Sequence, residues 1–298
     1  MAANDTVRLG DHPEFQEHVD DLIARGVGYE RAAGNDARGA APPALLEALN
    51  GVRDPARGFV VLDSGPPAGG GRSIERELLS ALIIALQFGD TVTENPREEG
   101  RPFFPVTVIP GDHGRYGGTA HDRTPPGPHT DASSLSRARV DVVTLHCVHP
   151  AESGGQTVIS NGVSALDSLD AGLHEFILRR SFHRQDPYHK DDPTYVRRFP
   201  ICQRVENRFY SGMSFRYHPT RIANGQRMKG QSLTAKEQET LRAFERHVTR
   251  DEFTAELRLK PGQTLMINNH FILHNRREFT GDHRLLERHW AGEVLEVD

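Results

Sequence analysis

Short apolar or alternating runs, cut by glycine and proline, constrain the fold of this chain more than any other feature. Residues 58–62, 103–109, 140–149, 209–217 and 264–268 have strand length and strand composition, and residues 153–159 read as a turn into a further strand. Residues 257–263 read as a strand and tight turn, residues 284–294 as a closing strand, and residues 64–72 and 111–128 as turn and loop. Helical periodicity is confined to a few segments. It predicts helices around 15–23 and 45–49, over 74–88 with Leu78, Leu79, Leu82, Ile83 and Leu86 on one face, and over 163–178 after Asn161. Thr234-Ala235-Lys236-Glu237 reads as a capping box that opens a helix carrying Leu241, Phe244 and Val248. The pattern predicts a mainly β chain with flanking helices (α+β), folded as a double-stranded β-helix, or jelly roll, with ligands at strand ends. A single domain over 1–298 is expected, with a helical lead-in over about 1–57 and a lid or insertion over about 179–235. Residues 179–199 within it are polar, with little periodicity, and are expected to be mobile.

Composition narrows the partners. The formal net charge is -5 over 298 residues, and no block of positive charge is long enough to grip a phosphate backbone, which disfavours nucleic acid. The chain shows neither a signal-peptide pattern nor an apolar run long enough to cross a bilayer, so no membrane partner is expected. Cys147 and Cys202 are the only cysteines, too few for a disulfide framework, and a cytoplasmic protein is expected. The expected partner is a small molecule, and the oligomeric state is not legible.

The chemistry centres on Pro128-His129-Thr130-Asp131-Ala132, at a loop-to-strand junction. On a strand, a His-x-Asp sends an imidazole and a carboxylate to the same side, two adjacent corners of a metal site. The same pattern recurs as His12-Pro13-Glu14, His18-Val19-Asp20 and His189-Lys190-Asp191, where a solvated surface pair is expected. A second imidazole lies in Asn269-His270-Phe271-Ile272-Leu273-His274-Asn275. His270 and His274 differ by an even number, so on an unbroken strand either could ligate. Two histidines and one carboxylate with open positions make the facial triad of non-heme Fe(II) oxygenases. They also suit Zn(II) in a hydrolase, and a non-catalytic jelly-roll binding protein is a further alternative. His146 and His149 read as core or supporting histidines.

The order of parts resembles the Fe(II)/2-oxoglutarate-dependent oxygenases of the taurine dioxygenase and clavaminate synthase group over roughly residues 103–290. The matching parts are His129-Thr130-Asp131, Gly154-Gly155-Gln156-Thr157, the Pro261-Gly262-Gln263 turn leading through Asn268-Asn269 to His274, and Arg284-Leu285-Leu286-Glu287-Arg288. The resemblance implies that His129, Asp131 and His274 hold Fe(II), which selects His274 over His270. It implies that Thr157 and Arg284 bind the distal carboxylate of 2-oxoglutarate, and that Arg288 reaches an anionic group of the substrate. It further implies O2 as co-substrate, release of succinate and CO2, and hydroxylation of an unactivated C–H in an amino acid or derivative, with a place in bacterial specialised metabolism. Desaturation, epoxidation and cyclisation would use the same residues.

Overall fold

The structure, a computed structural model, describes residues 6–30, 41–65, 73–93, 101–109, 123–135, 138–186 and 188–294. In chain order the first elements are β1 (Thr6–Arg8), α1 (Pro13–Ala24), α2 (Pro43–Ala48), β2 (Phe59–Asp63), α3 (Ile74–Ala85), β3 (Asp90–Thr91) and β4 (Phe104–Thr107). The middle contributes β5 (Ala138–His149), β6 (Ser153–Gly154), β7 (Thr157–Asn161), α4 (Gly162–Leu166), α5 (Ala171–Arg179), β8 (Ser181–Arg184), β9 (Arg197–Pro200), β10 (Cys202–Glu206) and β11 (Ser211–Phe215). The last part holds α6 (Pro219–Met228), α7 (Ala235–Val248), β12 (Thr254–Leu257), β13 (Gln263–Asn268), β14 (Ile272–Arg276), β15 (Phe279–Thr280) and β16 (Leu285–Val294).

These form the expected jelly roll with flanking helices. One sheet of seven strands runs β1-β2-β13-β5-β16-β3, with β4 also paired to β16, and a smaller sheet runs β12-β7-β14. The central strands β5 and β13 are buried almost throughout because both of their faces are covered, and their polar members Asp141, Thr144, His146, Thr264 and Asn268 are buried with the rest. α3 covers part of the larger sheet: Ser73 accepts a hydrogen bond from the Arg76 N–H at its first turn, and Leu78, Leu79, Leu82 and Ile83 are buried. The capping box of α7 is present, with Thr234 and Glu237 each satisfying a backbone N–H of the other.

Four expectations change. The lead-in is not purely helical, since Thr6–Arg8 pairs in parallel with Val61–Asp63, a strand too short to show alternation. The single helix over 163–178 is two, because Asp170 accepts from the Leu173 N–H at 3.0 Å and starts α5 after α4 has ended. The 209–217 strand is shorter, Ser211–Phe215, and makes a hairpin with Cys202–Glu206. The stretch 179–199 is not irregular: Ser181–Arg184 pairs antiparallel with Arg197–Pro200. Its polar content hid a core residue. Arg184 is fully buried and donates to the carbonyls of Phe182 (3.1 Å), Phe199 (2.7 Å), Pro200 (3.0 Å) and Arg216. Burial pushes its guanidinium down to about 9. Residues 66–72 of the expected turn and 111–122 of the expected loop lie outside the described residues, and 123–128 carries no helix or strand.

Candidate functional site

His129 meets the smaller sheet at one point, an antiparallel bridge to His274. The two residues exchange both backbone hydrogen bonds, His129 N to His274 O at 3.0 Å and His274 N to His129 O at 2.8 Å. Residues paired directly across strands put their side chains on the same face, so the imidazoles lie together, ring centroids 4.3 Å apart. Asp131, two residues on, points to the same side. One donor atom from each of His129, Asp131 and His274 lies within 4.8 Å of the others, and all three side chains are buried. Among the described residues no other group of three histidine, cysteine, aspartate or glutamate side chains converges in this way.

The backbone is held in place around this cluster. Asn269 accepts from the Asp131 N–H at 2.9 Å and donates to the carbonyls of Asp131 and Val140, each at 3.1 Å. The chain then turns away at once, with Ala132 at φ 54°, a left-handed conformation rare outside glycine. On the opposite face Thr130 Oγ1 donates to the Phe215 carbonyl at 3.2 Å and accepts from the Tyr217 N–H at 3.1 Å.

Protonation favours a cation. Burial lowers the His129 pKa against the opposing pull of Asp131 and the Gly127 carbonyl, and burial with the His129 charge takes His274 down to about 3. Both rings are therefore neutral near pH 7. A carbonyl can only accept, so the 2.9 Å contact between His129 Nδ1 and Gly127 O puts the ring proton on Nδ1 and leaves the Nε2 lone pair for a metal. Burial alone would raise Asp131, but Arg288, the two imidazoles and the Trp290 N–H outweigh it and hold the carboxyl well below the usual range. Two neutral imidazoles and one carboxylate are the donor set of a facial Fe(II) site, so the residues fit the ion.

A recess of about 480 Å³ opens beside the triad, lined by His129, His274, Thr157, Arg276, Arg284 and Arg288 with apolar walls from Val106, Leu145 and Leu286. Thr157 faces Arg276 across the β7–β14 pairing, one alternate position from His274. The turn before it needs its glycines: Gly154 and Gly155 have φ of 70° and 71°, and a Cβ on Gly154 would lie 2.1 Å from the Glu278 carbonyl. Arg284 is only 4% exposed, its Nη1 has no hydrogen-bond partner, and among the described residues no carboxylate pairs with it. Burial, with the nearby charge of Arg276, lowers its pKa to about 10. A buried, unpaired cation is costly, and a bound carboxylate would relieve it.

Arg288 lines the same recess, and its Nη1 also donates to Asp131, 3.3 Å from Oδ1 and 3.1 Å from Oδ2, with the guanidinium against Phe104 and Trp290. Three side chains at the site carry no sequence expectation. Arg276 donates to the Thr124 carbonyl at 2.9 Å, Trp290 donates to Asp131 Oδ2 at 2.8 Å, and the His218 ring lies 4.9 Å from that of His129. Strand parity reveals the first two, being two residues beyond His274 and Arg288. Nothing in the sequence marks His218. His270 is turned away, bonded to Asp141 and Ser214, because β14 begins only at Ile272 and the premise of an unbroken strand fails. His146 is a core residue bonded to Thr264 and Glu77, and Asp20 and His189 of the other His-x-Asp copies pair with Arg76 and Asp186.

The description of the taurine catabolism dioxygenase family, TauD and TfdA, matches residues 42–290. The chain belongs to the TauD/TfdA dioxygenase family. It is accordingly an Fe(II)- and 2-oxoglutarate-dependent oxygenase that uses O2, as the resemblance implied. No curated protein sequence matches it. Among solved structures it is similar to an asparagine oxygenase in complex with Fe(II), 2S,3S-3-hydroxyasparagine and succinate, at 20% identity over 96% of this chain and 92% of the other, TM-score 0.72. It is also similar to the non-heme iron oxygenase OrfP in complex with Fe and alpha-ketoglutaric acid, at 16% identity, 96% and 94% coverage and TM-score 0.66. A taurine dioxygenase from Burkholderia xenovorans is 18% identical over 85% and 82%, TM-score 0.55. These likenesses describe the fold.

Proposed function

We propose that this oxygenase hydroxylates an unactivated C–H of a small polar substrate, an amino acid or derivative that carries an anionic group, with succinate and CO2 as the other products. In this reading His129, Asp131 and His274 hold Fe(II), and Thr157 and Arg284 bind the distal carboxylate of 2-oxoglutarate. The observation that carries it is the convergence of three buried donor atoms within 4.8 Å beside a recess that holds an unpaired buried arginine. Bound there, Fe(II) would supply the activation of O2 coupled to oxidation of 2-oxoglutarate.

The protein's own part is binding, orientation and exclusion of water. Arg284 offers a planar fork of donors that suits a carboxylate, and it is held in place by the Phe279 ring, 5.2 Å from its guanidinium carbon. The apolar walls from Val106, Leu145 and Leu286 lower the local dielectric around the recess, which strengthens that pairing. Arg288, which lines the same recess, supports an anionic group on the substrate. The hydroxyasparagine complex of the asparagine oxygenase and the dihydroxyarginine complex of OrfP support an amino-acid substrate. Among the described residues no helix is long and apolar enough to cross a membrane. Cys147 and Cys202 are buried thiols that are not joined in a disulfide, which supports a reducing, cytoplasmic setting.

The test is succinate release from purified protein supplied with Fe(II), O2 and 2-oxoglutarate across a panel of amino acids and their derivatives. The expected result is stimulation by acids over their amides or esters, with a product heavier by one oxygen. Stimulation by neutral compounds alone, or hydrolysis that proceeds without O2, would contradict the reading.

A further inference from the structure

Trp290 is the chain's one tryptophan, and neither the triad nor the co-substrate residues account for where its polar edge points. It is 5% exposed and lies two residues beyond Arg288, on the same face of β16. Indole Nε1–H can only donate, and a buried one needs an acceptor. Here the acceptor is Asp131 Oδ2, at 2.8 Å. The other oxygen, Oδ1, faces the imidazoles, 3.6 Å from His129 Nε2 and 3.8 Å from His274 Nε2. One edge of the carboxylate is thus turned to the imidazoles and the other is fastened to the indole.

We propose that Trp290 is a positioning residue that fixes Asp131 as a one-oxygen ligand, with Oδ1 toward the metal and Oδ2 retained by the indole. The inference rests on the triad reading above. Its consequence is a count of positions. A six-coordinate ion with three protein donors keeps three places, enough for a chelating keto acid and O2. A carboxylate that swung to bind through both oxygens would fill one of them. Arg288 also touches this carboxylate, but on both oxygens, at 3.3 and 3.1 Å, so it does not choose between them. The indole does choose, and it carries no charge that a substrate acid could draw away.

Two replacements test this. Trp290→Phe keeps a ring and loses the donor. Because the chain has one tryptophan, replacing that amino acid biosynthetically with β-(3-benzothienyl)alanine puts sulfur in place of N–H at this position alone and preserves the shape. Each protein is titrated anaerobically with Co(II), read by its visible d–d bands, and the unfolding midpoint of the metal-free protein is measured alongside. In the wild type, tryptophan fluorescence should fall in step with one Co(II) bound. Both replacements should bind Co(II) about 10- to 100-fold more weakly, the range for outer partners of metal ligands, with altered d–d bands. Wild-type affinity and bands in the benzothienyl protein would overturn the proposal, whether or not its metal-free stability falls. If the wild type binds no Co(II), or Asp131→Ala binds it unchanged, the triad reading fails and this inference with it.

Discussion

His270 and His274 stand four residues apart, each near an aspartate, and their surroundings differ in one decisive respect. His270 has both nitrogens engaged, Nδ1 with Ser214 at 2.9 Å and Nε2 with Asp141 at 2.7 Å, while Asp141 also accepts from Asn207 at 2.8 Å. His274 has a buried Nδ1 without a partner, and its Nε2 faces Asp131 across 3.8 Å, beyond hydrogen-bond length. A buried polar cluster that closes on itself ties strands together. One whose donor atoms converge at a longer spacing needs something between them.

The contrast breaks if the two histidines behave alike. His274→Ala should cost more succinate formation than the ~100-fold typical of outer-sphere changes, whereas His270→Ala, assayed as folded protein, should keep most of it. Arg284→Ala should weaken 2-oxoglutarate about 10- to 100-fold, the scale of a lost charge-assisted hydrogen bond, with Co(II) affinity nearly unchanged in a titration without 2-oxoglutarate. On the closed side, His270→Leu leaves Asp141 buried without its partner and should cost ~3 kcal/mol in urea unfolding, while Co(II) still binds.

Acid sharpens the comparison further. Burial lowers His289 to about 3, and its Nε2 contacts Thr91 Oγ1 at 3.1 Å. A folded-state pKa below the unfolded value of ~6.5 contributes stability that is full above pH ~6.5 and fades as pH falls toward the folded value. The metal-free protein should lose stability progressively below pH ~6.5, and His289→Gln should flatten that slope. Thr157→Val should have the smallest effect, a few-fold weakening of 2-oxoglutarate.

Much of this site was legible because strand parity is a strong rule. His129 and Asp131 share a side, whereas Arg284 and Arg288 were legible through the family resemblance, since Arg284 precedes β16 and a register shift between Leu285 and Leu286 breaks the parity between them. Parity also reached Arg276 and Trp290, but a strand arginine usually pairs at the surface and a strand tryptophan usually packs in the core, so spacing alone did not single them out. The choice between His270 and His274 lay beyond parity, since the strand begins between them. The fold's class followed from short runs and turns. The strand pair over 181–200 did not, because its buried anchor is Arg184, whose charge mimics a surface residue and whose partners are main-chain carbonyls invisible in a sequence.

The central claim is that His129, Asp131 and His274 share one ion that 2-oxoglutarate also reaches. Anaerobic addition of Fe(II) and then 2-oxoglutarate, followed in the visible range, tests it most directly. The account predicts a charge-transfer band that saturates at one iron per chain in the wild type and is lost in Asp131→Ala. A band of equal strength in both proteins would contradict it.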